Sequence, residues 1–179
     1  MKTLALDLGT STGWAVQANG ILSSGWMDFS RYTGCASRPA DHIGSSFGRM
    51  FYWLEEKVRE DKIEAIAYEN VYRWNSGDAA KAYGGFRGAM MIVADHNNIP
   101  VFDYSASHIK KFWTGKGTAD KEAILKVTVA RYPHLRHFNV RSDEADAIAI
   151  LQLHIATVSS PAASRRSADS DSPALPAAQ

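Results

Sequence analysis

The sequence predicts an α/β domain with a mixed five-stranded sheet flanked by helices. Three strand-like runs follow one another within residues 2–29, and two later strand patterns each follow a stretch with helical periodicity. A parallel strand requires a crossover, so the strand that follows the first helix can lie beside the first strand. A chain of 179 residues is long enough for one domain with a substantial core.

The N-terminal region predicts three antiparallel strands in a row. They are the runs KTLALDL, TGWAVQA and ILSSGWMDF, which are separated by a Gly-Thr-Ser turn and by the dipeptide Asn19–Gly20. Asn-Gly between two such runs is the strongest short-range sign of a hairpin, because both residues tolerate positive φ. We therefore expect a two-residue turn between the second and third strands.

The rest of the chain alternates between helix and strand. Residues 41–62 predict the first helix, because apolar side chains recur there at three- and four-residue spacing. The further elements, in order, are the strand KIEAIAYE at 62–69, a helix over 77–97, the strand IPVFDY, and helices over 105–113, 119–132 and 143–157. Ser142 is in position to act as the N-cap of the last helix.

The final residues differ in kind from those before them. The segment 158–179 is rich in Ser, Ala and Pro and has no hydrophobic period. Such a segment cannot bury enough apolar area to offset its ordering entropy. We expect one folded domain over residues 1–157 and a disordered tail over residues 158–179.

Composition and charge restrict the setting and the partners. The chain has one cysteine, Cys35, so it forms no intrachain disulfide and suits a reducing cytoplasm. No apolar run is long enough to predict a membrane span, and Asp7 interrupts the only early apolar run, so no signal peptide is expected. The net charge is only +1, but residues 110–137 contain seven Lys and Arg against two acidic residues. This basic segment is typical of a nucleic-acid-binding surface, although a solvated helix face would also explain it.

Four carboxylates are the candidate catalytic and metal-binding residues. Asp7 and Glu69 lie at the C-terminal ends of two strands that we expect to be neighbours, about 4.8 Å apart. Asp143 and Asp146 are three residues apart and share one helix face, whereas Glu144 points elsewhere. Hard oxygen ligands suit Mg²⁺ or Mn²⁺, and two such ions can stabilise both the attacking and the leaving oxygen at a phosphodiester.

Other interpretations of these carboxylates are open at this point. The stretch LALDLGTSTGWAV is also typical of a phosphate-binding loop in an actin-like kinase or ATPase. That class needs a second phosphate loop and a second lobe, and the sequence offers neither. An Asp before a Gly-Thr turn can serve the turn alone, and an Asp pair that opens a helix can serve the helix dipole alone.

Five motifs together resemble one family. The segments LDLGTSTGWAV, IAYENVY, GGFRG, IPVFDYSASHIKKFWTGKGTADKEAI and SDEADAIAIL resemble, in order and spacing, the motifs of the RuvC family of Holliday junction resolvases. The resemblance covers nearly all of residues 1–157. It implies a ribonuclease H-like homodimer that nicks opposing strands of a four-way DNA junction and leaves 5′-phosphate and 3′-hydroxyl ends. It also implies two Mg²⁺ ions per active site, for which Mn²⁺ can substitute, and no nucleotide cofactor.

The resemblance also implies roles for individual residues. The family's four acidic positions are occupied by Asp7, Glu69, Asp143 and Asp146, and Lys121 falls at a lysine close to the cleavage site. Tyr72 matches the aromatic side chain that the family uses as a wedge against junction bases, although Trp74 could equally be the exposed ring. The predicted DNA-binding residues are Tyr72, Arg73, Lys110, Lys111, Lys116 and Lys121.

Departures from the family pattern leave the substrate open. Leu8 replaces the usual Pro after the first Asp, and Phe86 stands where a small residue is common. Such divergence would suit a bacteriophage or prophage member acting in an infected bacterial cell. A broader nuclease for flaps and forks would keep the same four acids, and a junction-binding protein that does not cut DNA is the third alternative.

Overall fold

The sheet and its helices follow the predicted order. The structure, a computed structural model, describes residues 1–30, 43–72, 76–138 and 140–160. The strands are β1 (Thr3–Asp7), β2 (Ser11–Ala18), β3 (Ile21–Asp28), β4 (Ala65–Asn70) and β5 (Val101–Ser105). The α-helices in these ranges are α1 (Ile43–Asp61), α2 (Gly77–His96), α3 (Ala106–Thr114), α4 (Lys121–Arg131) and α5 (Ser142–Val158), and Pro133–Phe138 form a 3-10 helix.

The five strands form one mixed sheet in the order β3-β2-β1-β4-β5. β1 pairs antiparallel with β2 and parallel with β4, so the predicted crossover through α1 is confirmed. Asn19 and Gly20 both adopt positive φ, and Ala18 pairs with Ile21. The predicted two-residue hairpin turn is therefore confirmed as well.

Helices cover both faces of the sheet. On one face, α1 and α2 pack on large sheet side chains such as Leu6 and Tyr68. On the other face, α5 packs on the small side chains Ala5, Ala15 and Ala67, α3 lies beside it against β4 and β5, and α4 packs on α5 and α3. Small sheet residues let a helix axis come close to the strands, so the N-terminus of α5 reaches the ends of β1 and β4.

The predicted N-cap of the last helix is wrong. The helix begins at Ser142 itself, and Arg141 is the N-cap residue, without a side-chain capping hydrogen bond. The Ser142 hydroxyl donates instead to Asp143 Oδ1 at 3.3 Å, which is a local alternative to capping. The helix also continues to Val158, one residue beyond the expected domain boundary.

Some predictions concern residues outside the described ranges. Cys35 lies in the undescribed segment 31–42, and most of the predicted tail lies in 161–179. Among the described residues, no helix combines the length and the apolar character that crossing a membrane requires.

Candidate active site

Two of the four carboxylates come from the parallel pair β1 and β4. Leu6 is the register partner of Tyr68, and Asp7 and Glu69 each follow one residue later at the strand ends. Side chains alternate along a strand, so both carboxylates point to the side of Ala5 and Ala67, which is the side that α5 covers. The predicted placement of these two residues side by side is confirmed.

The turn after Asp7 is held by two hydrogen bonds between Thr12 and Gly9. The Thr12 hydroxyl donates to the Gly9 carbonyl at 2.7 Å and accepts from the Gly9 N–H at 3.3 Å. Thr12 is fully buried, so its hydroxyl is committed to this turn. The Gly-Thr-Ser-Thr-Gly run therefore builds a tight link between β1 and β2 that carries Asp7 at its start.

The N-terminus of α5 supplies the other two carboxylates. It docks directly on Gly13 of β2, where any Cβ would overlap the Asp143 carbonyl. Asp143 is held by Ser11, whose hydroxyl donates to Oδ2 at 2.7 Å. Asp146, one turn further along the helix, is only 9% exposed. Glu144 faces away from this site and accepts a hydrogen bond from Ser24 on β3 at 2.7 Å, as the helical spacing predicts.

The carboxylates act on one another electrostatically. Burial, followed by the charges of Asp146, Glu69 and Asp143, raises the pKa of Asp7 well above its usual value. Burial also raises the pKa of Glu69 and brings the pKa of Asp146 to about 6. Asp7, Glu69 and Asp146 thus share a site where their ionised forms are costly unless a cation is present.

Two lysines supply positive charge at the rim of the site. Lys121, the first residue of α4, lies 3.5 Å from Asp143 Oδ1, and its charge lowers the pKa values of Asp7, Glu69 and Asp146. Burial lowers the pKa of Lys121 itself, but the charges of Asp143, Asp7 and Asp146 outweigh this effect and raise it. Lys110 of α3 acts on Glu69 and Asp146 in the same way.

The donor atoms suit a hard cation, but the side chains do not converge on one point. All four are carboxylates, which is the ligand chemistry of Mg²⁺ and Mn²⁺. Within the described ranges, however, no group of three or more His, Cys, Asp or Glu side chains is arranged to hold an ion. Asp143 is turned to Ser11 and Lys121 instead.

Comparison with known proteins shows which family has this sequence pattern. The family model of the crossover junction endodeoxyribonuclease RuvC matches residues 6–154. The chain belongs to the RuvC family. The resemblance of the five motifs is thereby confirmed.

Relatives of the family match over most of the chain. The crossover junction endodeoxyribonuclease RuvC of Photorhabdus laumondii is 28% identical over 152 residues, which is 84% of this chain and 87% of that protein. The RuvC of Klebsiella pneumoniae is 27% identical over 154 residues, with 84% and 87% covered.

Solved structures confirm the ribonuclease H-like fold. The structure of Thermus thermophilus RuvC in complex with a Holliday junction substrate has a TM-score of 0.68 at 22% identity and covers 87% of this chain and 93% of that one. The yeast mitochondrial Holliday junction resolvase has a TM-score of 0.56 at 14% identity, with 83% and 75% covered.

The other predicted site residues are placed as follows in this RuvC family chain. Tyr72 is 72% exposed, so it is not the core tyrosine that its sequence alone would also allow. Lys111 and Lys116 are exposed, but neither is among the charges that shift the pKa values of Asp7, Glu69 and Asp146. Arg73 and Trp74 lie outside the described residues.

The glycines of the family-like GGFRG segment serve different purposes. Gly85 faces α1, where a Cβ would overlap the Phe47 ring. Gly84 and Gly88 face open space on α2. Only Gly85 is therefore explained by packing within the described chain.

Several residues at the site escaped sequence reasoning. Ser11, which orients Asp143, and Asp103, which contacts Tyr72, lie on different elements from their partners, whereas Asn70 is only two residues before Tyr72. Arg141 lies over the Trp26 ring of β3 at 4.0 Å, beside the first acidic residue of α5. Ser11 stands within the first motif, which is a local signal. The contacts of Asp103 and Arg141 depend on strand pairing and on helix docking, which no short segment reveals.

Proposed function

We propose that this chain is a structure-selective endonuclease that resolves four-way DNA junctions by paired nicks, leaving 5′-phosphate and 3′-hydroxyl ends. The observation that carries the proposal is the meeting of four carboxylates and Lys121 at one edge of the sheet in a RuvC family chain. A relative of the same fold is known in complex with a Holliday junction substrate. Branched DNA is accordingly the substrate class that we propose.

The proposed cofactor is a pair of Mg²⁺ ions, for which Mn²⁺ can substitute. Asp7, Glu69, Asp143 and Asp146 would hold them, and the raised pKa values of Asp7 and Asp146 support the need for positive charge there. When bound, such ions activate water and stabilise the leaving 3′ oxygen. No nucleotide cofactor is proposed.

The chain's own side chains have separate proposed tasks. Lys121 is a catalytic residue whose positive charge can face both Asp143 and a phosphate oxygen. Lys110, Lys111, Lys116 and Arg73 are proposed to contact the DNA backbone. Tyr72, with its exposed ring, is proposed to stack on an unpaired base, which is worth about 1–3 kcal/mol.

Paired cleavage implies two active sites. One chain provides one set of four carboxylates, so nicks on opposing strands call for a second copy, and we propose a homodimer. We place its action in the cytoplasm of a bacterial or phage-infected cell.

Cleavage of an end-labelled immobile four-way junction tests the proposal. Duplex, flap and fork DNA of identical sequence serve as controls, each with Mg²⁺ and with a chelator. Symmetric paired nicks that occur only in the junction and only with Mg²⁺ are expected. Equal cutting of flaps and forks would replace the proposal with a general debranching nuclease, and junction binding without any cutting would favour a binding protein.

Replacement of one predicted ligand tests the site itself. Asp7→Asn should lower the cleavage rate at least about 100-fold while junction binding is retained, because it removes a charge at the proposed metal site and leaves the basic surface intact. Cleavage and electrophoretic mobility shift assays on the same preparation measure the two effects. A normal cleavage rate would show that the metal-site assignment is wrong.

A further inference from the structure

A small polar cluster holds the exposed ring of Tyr72. The Asn70 side-chain amide donates to Asp103 Oδ2 at 2.8 Å and to the Tyr72 hydroxyl at 3.1 Å. The Tyr72 hydroxyl in turn donates to Asp103 Oδ2 at 3.4 Å. Tyr72 as a whole stays 72% exposed. We call these three residues the tyrosine clamp.

Strand pairing explains why the clamp forms. Asp103 on β5 is the register partner of Tyr68 on β4, and Asn70 lies two residues beyond Tyr68. Residues two apart on a strand share one face, so Asn70 and Asp103 project from the same side of neighbouring strands. Tyr72 is two residues further along, just past the end of β4. Its hydroxyl can therefore reach back to both side chains.

The position of Asp103 suggests a purpose beyond stability. A carboxylate close to a DNA-binding side chain repels phosphate, so it is unfavourable there unless it performs another task. Among the described residues, Asp103 takes part in no ion pair, and its side-chain hydrogen bonds go to Asn70 and Tyr72. Its charge also raises the pKa of Arg87 on α2, so it is the hydrogen bonds of Asp103, and not its charge, that serve the tyrosine.

We propose that Asn70 and Asp103 are positioning residues that fix the Tyr72 ring in the orientation in which it stacks on an unpaired base at the centre of the junction. This inference rests on the proposed junction-resolving function. A free side chain must lose rotamer freedom when it binds, whereas a clamped ring has already lost it. Loss of the clamp should therefore weaken base stacking about two- to tenfold, even though the ring remains.

Three variants separate the ring from the clamp. Tyr72→Ala removes the ring, Tyr72→Phe removes only the hydroxyl, and Asp103→Ala removes the main acceptor. Asp95→Ala is the matched control, because it deletes an exposed carboxylate at the far end of α2. The readouts are the fluorescence of a 2-aminopurine base at the crossover, measured in an Asp7→Asn background so that the DNA stays intact, and the cleavage rate without that background.

The clamp predicts a specific pattern. When wild type binds the junction, the 2-aminopurine fluorescence should rise because the base leaves its stack in the DNA. Tyr72→Ala should abolish this rise. Tyr72→Phe and Asp103→Ala should each reduce the rise and the cleavage rate about two- to tenfold. The double variant Tyr72→Phe with Asp103→Ala should be no worse than Tyr72→Phe alone, because Tyr72→Phe already removes the hydroxyl that contacts both Asn70 and Asp103. Asp95→Ala should behave as wild type.

Other results would overturn the inference. If Tyr72→Phe and Asp103→Ala match wild type while Tyr72→Ala is defective, the ring acts without the clamp. If Asp103→Ala strengthens cutting, its charge merely repels DNA. A normal Tyr72→Ala removes the proposed stacking role, and wild-type protein that leaves junctions uncut removes the proposed function itself. Tyr72→Phe deletes one exposed oxygen atom, so it tests the clamp even if Asp103→Ala fails to fold.

Discussion

At the scale of single residues, Asp146 shows the conflict between stability and function most directly. It is nearly buried, and burial raises its pKa from 3.8 to about 6. Between these pH values the folded protein keeps a proton that the unfolded chain has lost, so the free energy of unfolding falls as the pH rises through this window. The penalty is absent below pH 4 and complete above pH 6, where it amounts to at most about 3 kcal/mol.

Asp146→Asn should consequently stabilise the metal-free protein. In the presence of a chelator, we expect a higher urea midpoint than wild type at pH 7.5 and a shrinking difference as the pH approaches 4. The variant should also lose cleavage activity and the stabilisation that Mg²⁺ gives to wild type. Asp95→Asn, an exposed control, should change none of these. A destabilised Asp146→Asn at pH 7.5 would contradict the raised pKa.

The four catalytic carboxylates could be predicted from the sequence, because strand ends and helical spacing place them by simple geometry. Asp7 and Glu69 needed only a parallel β1–β4 pair, and Asp143 and Asp146 only a helix. The roles of the lysines were harder to predict. Lys110, rather than its neighbour Lys111, lowers the pKa values of Glu69 and Asp146, and a one-residue difference on a helix is a rotation of about 100°. Local sequence does not fix that rotation.

At the scale of elements, the docking of α5 on β2 orients half of the site. Gly13 leaves room for the Asp143 carbonyl, so Gly13→Ala must push the first turn of α5 away from the sheet. We expect a loss of about 1–3 kcal/mol in the free energy of unfolding, together with a cleavage defect larger than that loss explains. Urea unfolding and single-turnover cleavage measure the two effects.

A matched glycine provides the control for that substitution. Gly48 in α1 has open space around its Cβ position, so Gly48→Ala should be neutral or stabilising by up to about 1 kcal/mol and should not affect cleavage. Full activity of Gly13→Ala would mean that the α5 N-terminus can shift without disturbing Asp143.

The elements themselves were predictable wherever a local signal was strong. The Asn19–Gly20 turn and the periodic helices are of this kind, and their predicted bounds agree with the structure to within a few residues. The cap of α5 was not, because Ser142 is already the first residue of the helix, and its hydroxyl donates to the neighbouring catalytic candidate Asp143 instead of accepting from a backbone N–H of the helix. Functional sites are where such local rules are expected to fail.

At the scale of the whole molecule, charge distribution outweighs net charge. The chain carries only +1, yet basic residues concentrate on and around α3 and α4. Lys116 is exposed in the link between these helices, and its charge is not among those that shift the pKa of Asp7. Lys116→Ala should weaken junction binding uniformly across sequences and reduce the slope of log affinity against log salt by about 1.

The appropriate control removes a lysine at the opposite end of the strands from the four carboxylates. Lys2 precedes β1, at the other end from Asp7, so Lys2→Ala should leave affinity and salt slope unchanged. Binding titrations at several salt concentrations, with a chelator present, give both values. Equal effects of the two substitutions would mean that DNA binding follows overall charge and not the basic segment.

The proposed dimer makes a prediction that no single chain can satisfy. If each protomer cuts one strand, a heterodimer of one wild-type and one Asp7→Asn protomer should nick only one of the two opposing strands. Co-expression with two different affinity tags and purification through both yields such a heterodimer. The wild-type pair, purified in the same way, should give nicks on both strands of the same junction.

Each outcome of this experiment decides the point. Single nicks from the heterodimer would show that each protomer cuts one strand independently of its partner's metal site. Complete loss of cutting would show that both sites must be intact before either acts, which is still a dimer but a coupled one. Failure to recover any doubly tagged protein would refute the homodimer, since a monomer can pass only one of the two affinity steps.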